Sequence, residues 1–370
     1  MPDHITYDPM YNTVDRDDFA EMVKTDRYAA RTGAFDTIIS RTHDHFWDPN
    51  DAAYIDFDAQ PFDLAEQTIM PLDFSAELSS AVRDKLDEGQ QIGLANEITH
   101  WMVSQLLHGE QGALSLSASL CHIMYDPGAV EYASNQVREE ARHVTGFTNY
   151  VCRRWGEPLP SGATLTTLLT ELVLAPEVYK KLIGMQMLVE GLAMGAFATL
   201  HSKTNDPTLR TLVQLVMTDE AFHHKFGKIW ADKTVPQLNE SEHERVELWA
   251  ADVFQKILFN LANPEQKKGI YAKFGIDWQW VASAVSEAFT DADRRRLMTE
   301  STNIFRVLIK TLLKAGIITD RTRGIYAAWV DMDELHAEDD EVVGTDVAED
   351  GITRLRDINR NRKTIGRALR

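Results

Sequence analysis

The sequence predicts an all-α protein built on a four-helix bundle. Three observations carry this. Apolar residues recur at three- and four-residue steps over most of residues 87–330, the period of a helix with one buried face. Four such stretches each place a glutamate on an otherwise apolar stripe: Glu110, Glu140, Glu190 and Glu220. The stretches also come as two copies of one unit, in which a helix, an Asp-Pro start signal and a second helix follow in turn.

Each element has its own signal. The first bundle helix runs from about 90 to 124. Asp126-Pro127 then supplies an N-cap and a first-turn proline for the second helix, which reaches Trp155 and stops at Gly156-Glu157-Pro158. So short a connection makes these two helices antiparallel neighbours. The stretch from Pro158 to Pro176 is long enough to travel the length of the bundle. The third helix runs from Pro176 to Ser202, and Asp206-Pro207 repeats the start signal for a fourth that ends near Pro236. Glu244 to Leu261, Trp278 to Phe289 and Asp291 to Ala315 keep the helical period, the last ending at the C-cap signal Ala315-Gly316. These are expected to flank the four-helix core.

The two ends differ from the middle. Residues 1–86 are rich in Asp, Pro and aromatics, as in Phe46-Trp47-Asp48-Pro49 and Pro61-Phe62-Asp63. They read as an ordered wrapping or capping segment, because so many aromatics would not stay exposed. From Asp331 to Asp350 there are ten acidic residues and no Lys or Arg, and from Gly351 to Arg370 seven basic residues and one acidic. Residues 331–370 read as a charged, mobile tail, with a strap or a contact to a partner subunit as the alternative.

Bulk properties bound the function. The chain has 370 residues, 44% of them hydrophobic, and a net charge of −19. That charge argues against nucleic acid as a partner. Cys121 and Cys152 lie in apolar helical stretches and read as reduced core thiols. No Cys-x-x-Cys is present for an iron–sulfur cluster or a structural zinc. The start carries no basic region followed by an apolar core, and no uncharged apolar run approaches the ~18 residues of a spanning helix. A cytoplasmic protein without a membrane partner is the expectation.

The chemistry lies in Arg138-Glu139-Glu140-Ala141-Arg142-His143 and Thr218-Asp219-Glu220-Ala221-Phe222-His223. In each, a Glu and a His three positions apart share one helix face. Each is preceded by a lone Glu at an equal separation of 30 residues, Glu110 before Glu140 and Glu190 before Glu220. A single Glu-x-x-His is weak evidence, and Glu97 with His100 and Glu240 with His243 match it too. Glu240 sits in a wholly polar stretch that reads as a solvated helix start. Glu97 is roughly 220° around the helix and about 20 Å along it from Glu110. The other four glutamates are flanked by apolar residues, such as Val103, Leu107 and Leu114 around Glu110 and Met187, Met194 and Phe197 around Glu190. Four buried carboxylates need cations to offset them, and two metal ions that also take the two imidazoles would do so.

This pattern resembles the ferritin-like non-haem diiron-carboxylate superfamily, which includes multicomponent monooxygenases, acyl carrier protein desaturases, ribonucleotide reductase small subunits and p-aminobenzoate N-oxygenases. The likeness covers residues 87–235 and rests on Glu110, Glu140, His143, Glu190, Glu220 and His223. It implies two iron ions, with manganese as the alternative. It also implies that Glu139 orients His223 and that Asp219 orients His143. The radical tyrosine of the reductase small subunits is replaced by Phe147, and the third histidine of the N-oxygenases by Val216. The resemblance implies activation of dioxygen to hydroxylate, N-oxygenate or desaturate a small organic substrate. A separate reductase or ferredoxin would supply electrons, because no flavin, nicotinamide or iron–sulfur motif is present. A homodimer is allowed. Met194 and Phe197 are the expected pocket walls, since Gly191, Ala193, Gly195 and Ala196 leave space beside Glu190. The rival expectations are a manganese or mixed-metal catalase or oxidase, and a non-enzymatic iron-handling protein.

Overall fold

The computed structural model describes residues 19–43, 45–261, 263–290, 293, 304–338 and 344–361. Among these, every regular element is helical, so the chain is all-α. The longer helices are α1 (Glu88–Ile123), α2 (Pro127–Trp155), α3 (Ala163–Leu174), α4 (Glu190–Lys203), α5 (Pro207–Thr234), α6 (Glu240–Leu261), α7 (Trp278–Ala288), α8 (Ile304–Lys314) and α9 (Thr345–Arg360).

Local chemistry sets the boundaries. Asp87 and Gln90 form a capping box that starts α1. Asp126 accepts from the Gly128 N–H at 2.8 Å, and Asp206 from the Thr208 N–H at 2.9 Å, so both Asp-Pro signals act as caps. Asp206 also accepts from Arg154 at 2.7 Å and from the Tyr150 hydroxyl at 2.8 Å, which ties the start of α5 to the end of α2. Gly156, at φ 91°, ends α2. α1 packs along α2, and α4 along α5.

The connection between α2 and α4 holds more structure than its sequence suggested. It forms α3, whose Leu169 lies where a Cβ on Gly112 of α1 would be 2.6 Å away. That glycine lets α3 approach α1 closely. The third of the four long helices expected from the sequence is also not uniform. Val178–Lys181 is α-helical, Leu182–Val189 is a π-helix, and α4 follows at Glu190. By length and composition Val178–Lys203 could cross a membrane, but 72% of its most apolar window is buried inside the protein.

The described part of the wrapping segment crosses several helices. Trp47 is fully buried. The Ile69 N–H donates to Asn96 of α1, while the Ile69 carbonyl accepts from Asn205 and Thr204 just before α5. Residues 1–18 lie outside the described residues, as does most of the stretch between Asp291 and the start of α8.

Within the stretch read as a charged tail, α9 is docked on the rest of the protein rather than solvated all round. Ala348, Gly351, Ile352 and Leu355 are buried, and α9 packs along α5. A Cβ on Gly351 would meet Thr218 at 2.6 Å, so α9 leans directly on the second Glu-x-x-His segment. The charges lie on the outward face and the apolar residues on the inward one, so composition alone concealed the docking stripe. Residues 339–343 and 362–370 of the tail lie outside the described residues.

Candidate metal centre

α1, α2, α4 and α5 each turn one glutamate inward, and α2 and α5 each add a histidine one turn later. Glu140, His143, Glu220 and His223 are fully buried, and Glu110 and Glu190 nearly so. Their ligand atoms form two overlapping sets, each within 4.8 Å: Glu110, Glu140, His143 and Glu220, and Glu140, Glu190, Glu220 and His223. Glu140 and Glu220 belong to both sets, so the six residues form one continuous cluster that could hold metal ions. Nδ1 of His143 lies 3.1 Å from Glu110, 3.2 Å from Glu140 and 3.1 Å from Glu220. Nδ1 of His223 lies 3.1 Å from Glu140 and 3.2 Å from Glu220.

Both rings are held from behind. His143 Nε2 is 2.8 Å from Asp219, and His223 Nε2 is 3.0 Å from Glu139. The pairing is crossed: the acid preceding each Glu-x-x-His serves the histidine of the other helix. With Nε2 donating to an acid, the Nδ1 lone pair faces the carboxylates. That juxtaposition is repulsive unless positive charge sits between them.

The proton affinities show the same demand. In the metal-free protein, burial, reinforced by the neighbouring carboxylates, pushes Glu110 and Glu190 well above the ordinary carboxylate range. Burial opposes charge on His143 and His223 as well, but the surrounding acids outweigh it and hold both imidazoles protonated well above their usual range. For Glu140, Glu220 and Asp219, burial is outweighed by the facing cations and hydrogen bonds, and all three are held below theirs. Protons therefore supply the central positive charge when metal does not. The donor set fits metal: carboxylate oxygens and imidazole suit iron, manganese or zinc better than soft copper(I).

Sequence reading missed four residues around this cluster. Gln136, one turn before Glu140, donates to Glu140 at 3.0 Å and to Glu190 at 3.3 Å. Arg142 Nε donates to Asp219 at 2.9 Å, and Trp47 Nε1 donates to the same carboxylate at 2.9 Å. His45 Nε2 is 3.1 Å from Asp219, and its ring stacks on Phe222. Gln136 and Arg142 stand on the right face of α2 and could have been found by helical spacing. His45 and Trp47 arrive from the wrapping segment, and no spacing rule reaches them. The matches at Glu97 and Glu240 fall elsewhere: His100 bonds the Glu157 carbonyl, and His243 the Gly316 carbonyl.

A cavity of about 290 Å³ reaches the cluster at Glu110 and Glu190. Its walls include Trp101 and Leu106 of α1, Leu165 and Leu168 of α3, and Ala193 and Ala196 of α4. Met194 and Phe197, the expected pocket walls, are not among the residues that line this cavity. They are fully buried in the core on another face of α4, where Phe197 stacks with Phe147 at 5.8 Å. At about 100° per residue, Ala193 faces the space and Met194 turns from it.

The helical architecture and this buried cluster are compatible with the ferritin-like diiron fold. Comparison with family models and with curated proteins finds no match for this chain.

Proposed function

We propose that this protein is a dimetal-carboxylate oxidoreductase that uses dioxygen to oxidise a small organic substrate. It would bind two iron ions and receive electrons from a separate reductase or ferredoxin. The observation that carries the reading is the junction of two features: six candidate ligand residues converge in one buried cluster, and an apolar cavity opens onto two of them, Glu110 and Glu190. Bound ferrous ions would supply the electrons and the Lewis acidity that dioxygen reduction requires.

The protein's own residues have distinct tasks in this reading. Asp219 and Glu139 fix the tautomer and direction of His143 and His223. Gln136 donates to both Glu140 and Glu190, so it would hold these two candidate ligands in place together. Trp47 and Arg142 hold the charge of Asp219 in a dry setting. The cavity walls keep water from the reacting face and hold the substrate beside Glu110 and Glu190.

Metal analysis of the purified protein tests the reading. Saturation at two ions per chain, with dioxygen consumed when the ferrous form is supplied with an electron donor, supports it. Iron uptake far above two per chain would favour iron handling. Manganese with rapid peroxide disproportionation would favour a catalase.

A further inference from the structure

The cavity also limits what can enter it, and this inference rests on the reading above. Apart from Glu110 and Glu190, none of the described residues that line it is an acid, a lysine, an arginine or a histidine. Most of its wall is aliphatic or aromatic, with Trp101, Leu106, Leu165, Leu168 and Leu192 as its bulk. The remaining polar walls are Gln105, Thr164 and Gln266. Gln105 is engaged at both ends of its amide: its oxygen accepts from the Gly162 N–H at 2.7 Å, and its nitrogen donates to the Pro160 carbonyl at 3.2 Å. Thr164 and Gln266 also have partners.

Charge at the metal end is balanced as well. Four carboxylates offset two divalent ions, so neither sign is in excess there. An anion entering this space would shed its water with no lysine, arginine or histidine facing it from the described walls, and an ammonium would meet there no carboxylate beyond Glu110 and Glu190. We infer that the substrate is a neutral, largely apolar molecule. At about 290 Å³ the cavity lies at the small end of the range for small-molecule pockets, so the molecule is small. Carboxylates and protonated arylalkylamines are excluded by the same argument.

Three probes with one skeleton test this: 4-ethylbenzyl alcohol, 4-ethylbenzoate and 4-ethylbenzylammonium. Binding is measured by calorimetry on the full chain loaded with zinc, which is redox-inert. The alcohol should bind at least about tenfold tighter than either ion. Ala193→Phe and Ala196→Leu, each filling the cavity from α4, should each weaken the alcohol at least about tenfold while zinc content stays at two per chain. Equal or tighter binding of either ion, no saturable binding of the alcohol, or full retention of binding in both variants would overturn the inference. Zinc stoichiometry is read separately. Failure to hold two ions would count against the metal centre, whereas a wrong ranking with two ions bound would count against the substrate class alone.

Discussion

Asp219 stands on α5 and His143 on α2, and 2.8 Å separates the carboxylate of one from Nε2 of the other. The contact locks two helices together and aims the Nδ1 lone pair at the candidate metal position. Asp219→Asn keeps the shape but removes the charge. It should weaken binding of one of the two ions by roughly 10–100-fold and leave the other less affected. A metal titration that resolves two binding steps checks this, and two unchanged steps would refute it.

Glu110 and Glu190 offer a different test, because burial raises their proton affinity well above the ordinary carboxylate range in the metal-free protein. A neutral Gln resembles the protonated acid in size and hydrogen bonding. Glu110→Gln or Glu190→Gln should therefore change the stability of the metal-free protein little, within about 1 kcal/mol, yet impair metal loading. Thermal melts of chelator-treated protein, paired with metal content, separate the two effects.

The pH dependence should change sign with metal. Glu110, Glu190, His143 and His223 all hold protons in the folded, metal-free state above the values at which the unfolded chain releases them. Their contribution is fully present below the unfolded values, about 4.3 for Glu and 6.5 for His, and is lost as pH rises through the folded ones. Glu140, Glu220 and Asp219 act oppositely and lose theirs as pH falls below about 4. The chelated protein should thus be most stable in mildly acidic solution and melt at lower temperature from pH 5 to pH 8. Metal must displace those protons, so metal affinity should rise over the same interval and loading should acidify a weak buffer. A chelated protein that grows more stable from pH 5 to pH 8 would contradict this.

The docked tail makes a prediction about stability. Leu355 is fully buried in the same core cluster as Met194, Val213 and Val216. Leu355→Ala should destabilise the protein by about 2–5 kcal/mol, whereas a substitution at exposed Glu349 should fall within about 0.5 kcal/mol. Denaturant unfolding of both variants measures the contrast.

What could be read in advance followed from periodicity. Glu110, Glu140, Glu190 and Glu220 were visible because each interrupts an apolar stripe, and the matched spacing joined them into one set. Leu165, Leu168, Leu169 and Leu172 of α3 stand at helical steps, but the prolines on either side, Pro158, Pro160 and Pro176, give the stretch the look of a connection. α9 was hidden by charge, though Ala348, Ile352 and Leu355 follow the same steps. The π-helix at Leu182–Val189 has no comparable signature. Trp47 and His45 meet Asp219 across more than 170 residues of chain, a relation that only tertiary structure creates.

That last meeting bears on the order in which the protein matures. All six candidate ligands lie between residues 110 and 223, so a fragment containing them would carry every donor atom. It would nevertheless lack the indole and imidazole that close over Asp219 from the far amino-terminal side. The order of folding therefore matters to this cluster: a segment that precedes these helices in the chain must come back over them before Asp219 is enclosed by Trp47 and His45.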